Sequence, residues 1–442
     1  MTPKQSPRVV TRRLRNGLPV VAVELPHLAA GYVSLHVRTG PRHETGATHG
    51  LSHVAEHMLF RGAGRWPNSH AVAAAAEAFM GTPEAATYRD HASYGTTFRP
   101  DGLKDALALL AAMVRAPRLE GLEVERNVIL EEIQDAFDER GRVIDVDNVA
   151  RQLLFGAHPA GRSIDGTPQG IARLSRAALR AHHRRFYVAN NMALCVAGPN
   201  AVAKVHAAAS RAFGSLRAGA RAPLPQGSAV PVVGPQVHWV PHPGSQVSLR
   251  LCFAACPVAH PHAVALQVLR RVLDDGSTSR LQSELVDRQG LAYELWADAD
   301  LAEDHGCFDL GATVSPHKVG RVVAALLHQV ATLKRQAPTV QELRRAVDRL
   351  AWGIETLRDA APSAAEWYGR AALLDLPLQP AALLRQARAV NAAACREAAR
   401  AWLSPWRMVV AGVGDVPRAQ KNAVARAVVD SQRTKVARLR PR

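Results

Sequence analysis

Two short sequence matches recur at one offset and constrain the fold more than any other feature of the chain. Val33-Ser34-Leu35 lies in the alternating run Tyr32 to Arg38, and the same triplet returns at Val247-Ser248-Leu249. Such alternation marks a half-buried strand. A second strand pattern, Met192-Ala193-Leu194-Cys195-Val196, ends in Ala197-Gly198, and Met408-Val409-Val410 ends in Ala411-Gly412. The triplets and the Ala-Gly pairs are each 214 residues apart. Repetition in one order at one spacing predicts an internal duplication. Between the copies, Arg217 to Gln236 is rich in Pro, Gly and Ala and reads as a linker. The expected organisation is a domain at 1–217, a linker at 218–236, a second domain at 237–420 and a basic tail at 421–442. Strands and amphipathic helices mix without regular βαβ alternation. This predicts an α+β fold in which each half is a mainly antiparallel sheet packed with helices.

At 442 residues, each half is long enough to bury its own core. A chain that is 48% hydrophobic and 21% charged is neither disordered nor fibrous. The five cysteines include no C-x-x-C pair, which argues against a disulfide framework and a zinc knuckle. Met1 to Leu18 lacks an apolar signal core, and no run reaches the length of a membrane span. A soluble, cytoplasmic protein with no membrane partner is expected. The net charge of +17 is localised. Gly166 to Leu273 holds 12 Lys+Arg and no Asp or Glu, and Ala423 to Arg442 holds six bases against Asp430 alone; these two stretches account for the whole excess. No dense basic run is interleaved with aromatics, so nucleic acid is not an expected partner. The acid-free stretch reads on composition alone as an Arg-preferring, solvated face.

The densest cluster of metal-capable groups runs from Thr48 to Phe60 and contains His49, His53, Glu56 and His57. Leu51, Val54, Ala55, Met58 and Leu59 give it an apolar helical face. On a helix, His53 and His57 are i and i+4, one above the other, so their imidazoles can converge on one zinc ion. Glu56 flanks that position without having to bind the metal and is free to take a proton from a water the metal activates. The order mirrors the H-E-x-x-H zinc-protease helix and follows the same logic. A catalytic zinc also needs a third protein ligand and an open position. Leu122 to Phe137 reads as a second helix, on which Glu125 and Glu132 are two turns apart and share a face. Neighbouring Glu131 points about 100° away. His43, His49, His70 and His91 read as ordinary polar or core histidines.

The duplication supplies an internal control. At the 214-residue offset, His53, Glu56 and His57 fall on Gln267, Arg270 and Arg271, and Glu132 falls on Ala346. Only the first half keeps metal-binding groups.

With these motifs the chain resembles the pitrilysin/insulinase family of inverted zinc peptidases, and is most similar to the short-chain branch that includes mitochondrial processing peptidase. The resemblance runs from about Arg13 to about Gly414. It covers Arg15-Asn16-Gly17-Leu18-Pro19-Val20, Gly50 to Gly62, Glu125 to Ile133, Gly161 to Thr167, Asn191-Met192 and Gly290-Leu291-Ala292-Tyr293. It implies a peptide-bond hydrolase with one Zn²⁺ per chain, held by His53, His57 and Glu132, with 74 residues between the last two. Glu56 would be the general base, and Glu125 would support the ligand helix. Arg288 and Tyr293 match the family's substrate-contacting pair in the metal-free half. The family's substrate-binding edge strand, Asn-Ala-x-Thr after a Gly pair, falls on Met80 to Thr87. Ala85 and Thr87 match, but Glu84 replaces the Asn and Met80 a Gly. A glutamate carboxylate cannot donate a hydrogen bond as an Asn amide does, so the substrate range is expected to differ. The resemblance further implies that chains pair, as a homodimer or with a related subunit, around unfolded or extended peptides. The alternative it allows is a non-catalytic scaffold or substrate-binding subunit of a heteromeric peptidase.

Overall fold

The computed structural model describes residues 7–224, 234–376 and 380–436. The first sheet contains β1 (Arg8–Arg13), β2 (Pro19–Glu24), β3 (Gly31–Val37), β4 (Pro83–Thr87), β5 (Ala92–Phe98) and β6 (Met192–Gly198), in the order β1-β2-β6-β3-β5-β4. The second contains β7 (Gln236–Val240), β8 (Val247–Ala255), β9 (Glu294–Leu301), β10 (Gly306–Val314) and β11 (Met408–Val413), in the order β7-β11-β8-β10-β9. Apart from the extra β1, the two orders are the same. Each sheet has one parallel pair, β2 with β6 and β7 with β11, and is otherwise antiparallel. The α+β class and the duplication are therefore present in the fold.

Both matches that disclosed the repeat sit two residues away from structural equivalence. Gly198 (φ 148°) and Gly414 (φ 145°) close β6 and β11 alike, against the starts of β3 and β8 at Gly31 and Val247. Val33 pairs with Val196 and Leu249 with Gly412. The structural equivalent of Val33 is thus Leu249, two residues beyond Val247 on the same strand. Side chains on a strand alternate with period two, so an even displacement preserves the buried face and leaves the pattern intact.

The chain forms two compact units that interleave along the sequence. One comprises Met1–Gln134, Arg162–Gln226 and Glu355–Leu378; the other comprises Asp135–Gly161, Gly227–Ile354 and Gln379–Arg442. Two segments therefore cross the division expected at 218–236. Helix Ala361–Leu373 packs on the first sheet, where Ala361, Ala364, Ala365 and Tyr368 share a core with Val21, Val23, Tyr32 and Cys195. Helix Val146–Phe155 packs on the second, with Val149, Ala150, Leu154 and Phe155 against Cys252, Ala254, Val409 and Ala411. On its other face the first sheet carries a larger core that includes Leu35, Tyr94, Leu107, Leu110 and Phe213.

The linker and tail also look different in three dimensions. Residues 218–224 lie in the first unit, where Ala222 accepts from Arg38 Nε and donates its N–H to Asn191; residues 225–233 lie outside the described residues. The basic stretch from 421 begins inside helix Arg418–Val436, with Val424 and Val428 buried, and 437–442 lie outside the described residues. Among the described residues, no helix is long and apolar enough to cross a membrane.

Candidate metal centre

Helix Leu51–Leu59 carries both histidines and begins at Gly50, whose φ of 91° is a conformation that favours glycine. A Cβ here would lie 2.6 Å from Ile171 Cδ1. Glycine has no side chain to cap the helix, and Glu44 does so instead. Its buried carboxylate accepts the N–H groups of Gly50 at 2.8 Å and Ser52 at 2.6 Å. Burial pushes the Glu44 pKa up despite those bonds. Sequence reasoning missed Glu44; the only signal was an acid six residues ahead of a helix that starts on glycine.

The helix aims His53 and His57 the same way, with their Nε2 atoms 3.1 Å apart. The second helix is shorter than its apolar period predicted. It ends at Glu132, and Gln134–Ala136 tighten into a 3₁₀ turn where the chain leaves the first unit. Glu132 is thus the last helical residue. Its Oε2 is 3.3 Å from His57 Nε2 and its Oε1 is 3.7 Å from His53 Nε2. A carboxylate at a helix C-terminus meets the negative end of the dipole, a position that favours a nearby cation.

Glu125, one heptad earlier, faces the other side of His57. Its Oε1 is 2.9 Å from His57 Nδ1, and Arg61 Nη1 holds its Oε2 at 3.3 Å. A carboxylate accepts, so His57 Nδ1 carries the proton and Nε2 turns a lone pair toward His53 and Glu132. Arg61 is a second contributor that the sequence did not disclose. Glu131 is exposed and takes no part in this cluster.

The donors suit a tetrahedral ion. Atoms bound about 2.0–2.1 Å from zinc lie about 3.3 Å from one another. Here the separations are 3.1, 3.3 and 3.7 Å, and all three donors fall within 4.8 Å of one another. A second group, Cys252, Cys307 and Asp309, is equally compact but already holds cations: Arg151 and Arg250 lie 3.4 and 3.3 Å from Asp309 Oδ2.

Glu56 points from the same helix toward β4, where the Thr87 hydroxyl donates to its Oε2. Strand β4 is one edge of the first sheet. Tyr88 N–H donates to His91 O at 2.7 Å, which sets the hydrogen-bonding phase of the β4–β5 hairpin. Counting back along the register, Ala86 and Glu84 bond to β5, while Pro83, Ala85 and Thr87 turn their backbone groups outward. Pro83 therefore costs the ladder no bond. Ala85 packs its side chain against the core. Glu84 is exposed and accepts the Tyr32 hydroxyl at 3.3 Å. Arg288 and Tyr293 belong to the other unit: Arg288 pairs with Glu284 at 2.9 Å, and Tyr293 is 93% exposed just before β9.

Residues 20–165 match the family described as Insulinase (Peptidase family M16), and residues 173–350 match that described as Peptidase M16 inactive domain. An uncharacterized zinc protease of Mycobacterium bovis is 32% identical over 335 residues, spanning 74% of this chain and 75% of that protein. The chain belongs to the insulinase (M16) peptidase family. Within the family, a probable mitochondrial-processing peptidase subunit beta of Arabidopsis thaliana is 23% identical, over 93% of this chain and 79% of its own. The crystal structure of a protease from Helicobacter pylori shares the fold, with a TM-score of 0.85 at 20% identity, covering 93% of this chain and all of the other.

Proposed function

We propose that this family member is a zinc-dependent endopeptidase acting on unfolded or extended peptides. The observation that carries the reading is the convergence of His53 Nε2, His57 Nε2 and the Glu132 carboxylate beside a carboxylate, Glu56, that is not needed as a ligand. His53, His57 and Glu132 would hold one Zn²⁺ per chain, and Glu125 would fix the His57 tautomer. When bound, the ion supplies Lewis-acid polarisation of the scissile carbonyl and makes water a nucleophile at neutral pH. Glu56 takes the proton of the attacking water and returns it to the leaving amine. Thr87 orients Glu56 by occupying Oε2, which leaves Oε1 for the proton. The peptide adds as a strand beside β4, using the outward N–H and C=O of Ala85. Arg288 and Tyr293 contact the peptide when it is enclosed, and chains pair as homodimers or with a related subunit. Five free, buried cysteines support a reducing, cytoplasmic compartment.

Glu56→Gln tests the mechanism. Zinc content should stay at one per chain, while cleavage of an unstructured fluorogenic peptide falls by about 10²–10⁴. Undiminished cleavage by that variant refutes the role of Glu56. A wild-type chain that binds zinc and peptide without cutting supports the scaffold reading, which Glu84 at the family's Asn position favours.

A further inference from the structure

Strand β9 is one edge of the second sheet, as β4 is of the first, and the two hairpins share one register: Pro83 faces Thr96 and Ala297 faces Leu310, each 214 residues on. Ala302 N–H donates to His305 O at 2.9 Å, which turns the backbone groups of Leu295, Ala297 and Ala299 outward. An outward edge of this kind is a template for an incoming strand. In β9 it is occupied. Gln282 Nε2 donates to Leu295 O at 3.2 Å, Arg270 Nε to Ala297 O at 3.0 Å and Gln267 Nε2 to Ala299 O at 2.9 Å. Ala297 N–H donates to Asp274 Oδ2 at 3.1 Å, and the Asp298 carboxylate accepts Ala299 N–H. Gln282 also bonds Asp274 Oδ1 at 3.2 Å, so the clamp is braced internally. Carbonyls meet donors and N–H groups meet acceptors, the pattern a paired strand would supply.

Gln267 and Arg270 stand where His53 and Glu56 stand in the first copy. From Val54 to Phe60 and from Val268 to Asp274 the burial sequence agrees at this offset, with Glu56 and His57, and likewise Arg270 and Arg271, half-buried between buried apolar pairs. In the first copy the helix reaches the edge only through Glu56 and the Thr87 hydroxyl. Among the described residues no hydrogen bond closes the outward N–H or C=O of Ala85. We infer that β9 is a latent peptide-binding edge closed from within, with Gln267, Arg270, Asp274 and Gln282 holding the backbone groups that an extended peptide would otherwise take. The helix position that carries metal-binding groups in one copy carries edge-capping groups in the other, and of these two matched edges only β4 is open to a peptide. Only the assignment of β4 as that open edge rests on the proposed function.

The test is peptide stoichiometry, measured by calorimetry on the zinc-loaded, full-length Glu56→Gln chain with an unstructured peptide of about twelve residues, longer than a typical strand. This parent should take one peptide, and amide exchange should show protection at β4 and none gained at β9. Adding Gln267→Ala and Arg270→Ala should give a second binding equivalent, with peptide-dependent protection of β9. Without peptide, that variant's Ala297 amide should exchange about tenfold faster than the parent's. Arg270→Met alone, which keeps the aliphatic stem, serves if the double change unfolds. Peptide protection of β9 in the parent would overturn the inference, as would an opened, folded variant that takes no peptide at β9. If the parent takes no peptide and the opened variant takes one at β9, the closure stands and the β4 reading fails.

Discussion

The two halves of this chain share a strand order and one helix-to-edge-strand arrangement, yet they use it for opposite ends. In the first, helix Leu51–Leu59 presents two imidazoles and a carboxylate beside an edge whose backbone is left open. In the second, helix Ala263–Leu273 presents an amide and a guanidinium that close the backbone of the matching edge. The exchanged helices differ as well. Arg151 on Val146–Phe155 lies 2.9 Å from Asp300 and 3.4 Å from the buried Asp309, whereas Glu366 on Ala361–Leu373 takes only a 2.8 Å hydrogen bond from Ser93 and a 3.7 Å approach from His36. A duplicated backbone thus keeps its register and packing while the half-buried positions on its helices are free to diverge. Those positions face the edge strand and contribute little to the core.

The sharpest way to break the comparison is to change matched positions in the two helices. Replacing His57 by Ala should strip zinc on dialysis and lower peptide cleavage by at least about a thousandfold. Arg271→Ala, which loses only a pairing to Asp275, should leave metal content and cleavage within about twofold. Metal analysis and initial rates read both, and zinc loss from Arg271→Ala would end the claim that the second copy is metal-free.

Next in size is the anchoring of the exchanged helices. Arg151→Met leaves the buried Asp309 short of a partner and should cost about 3–5 kcal/mol in urea unfolding. Glu366→Gln can still accept from Ser93 and should cost about 1 kcal/mol or less. Equal costs would show that the two helices are held alike.

Removing the bracing carboxylate sharpens the metal side of the comparison. Glu125→Ala should weaken zinc affinity by about 10–100-fold, because His57 Nδ1 loses its acceptor while the three donors remain. Competition with a chromogenic chelator measures this.

Acid should separate the units last. Burial, aided by Arg38 and Arg42, lowers the His43 pKa to about 4. Burial, with His183 and Arg185, lowers that of His182 to about 3. Both belong to the first unit. The folded state binds fewer protons than the unfolded one, so this stability is present above pH 6.5 and is lost as pH falls from there toward 4 and 3. The loss is on the order of 1 kcal/mol per pH unit for each group. In the second unit, burial works to raise Glu342, but the Arg280 and Thr339 bonds outweigh it and hold it at about 2. Its contribution survives above pH 4.5 and declines only below that. Amide exchange, corrected for its intrinsic pH dependence, should therefore show the first unit loosening between pH 6.5 and 4.5 while the second holds.

Much of this was legible in the sequence. The i, i+4 spacing of His53 and His57 and the heptad from Glu125 to Glu132 are local, and a helix turns such spacings into geometry with little help from elsewhere. Family membership and the α+β class could be read for the same reason, since strand alternation and Ala-Gly endings are short-range patterns. The exchange of helices could not be read. Val146–Phe155 and Ala361–Leu373 are amphipathic, and an apolar face does not state which sheet it will cover. The two-residue displacement of both matches was hidden because period-two patterns look alike at every even shift. Glu44, Arg61 and the Thr87 contact to Glu56 were missed because each acts on a residue reached only through the fold.

The sequence by itself determined a doubled α+β chain, a helix able to present two imidazoles and a free carboxylate, and a second copy without them. Only the tertiary structure decided that Glu132 ends its helix within reach of both histidines, and that β4 is open while β9 is closed. The physical reason is range. Helical spacing is set within two turns of chain, but an outward backbone group is satisfied or left open by side chains that arrive from another element.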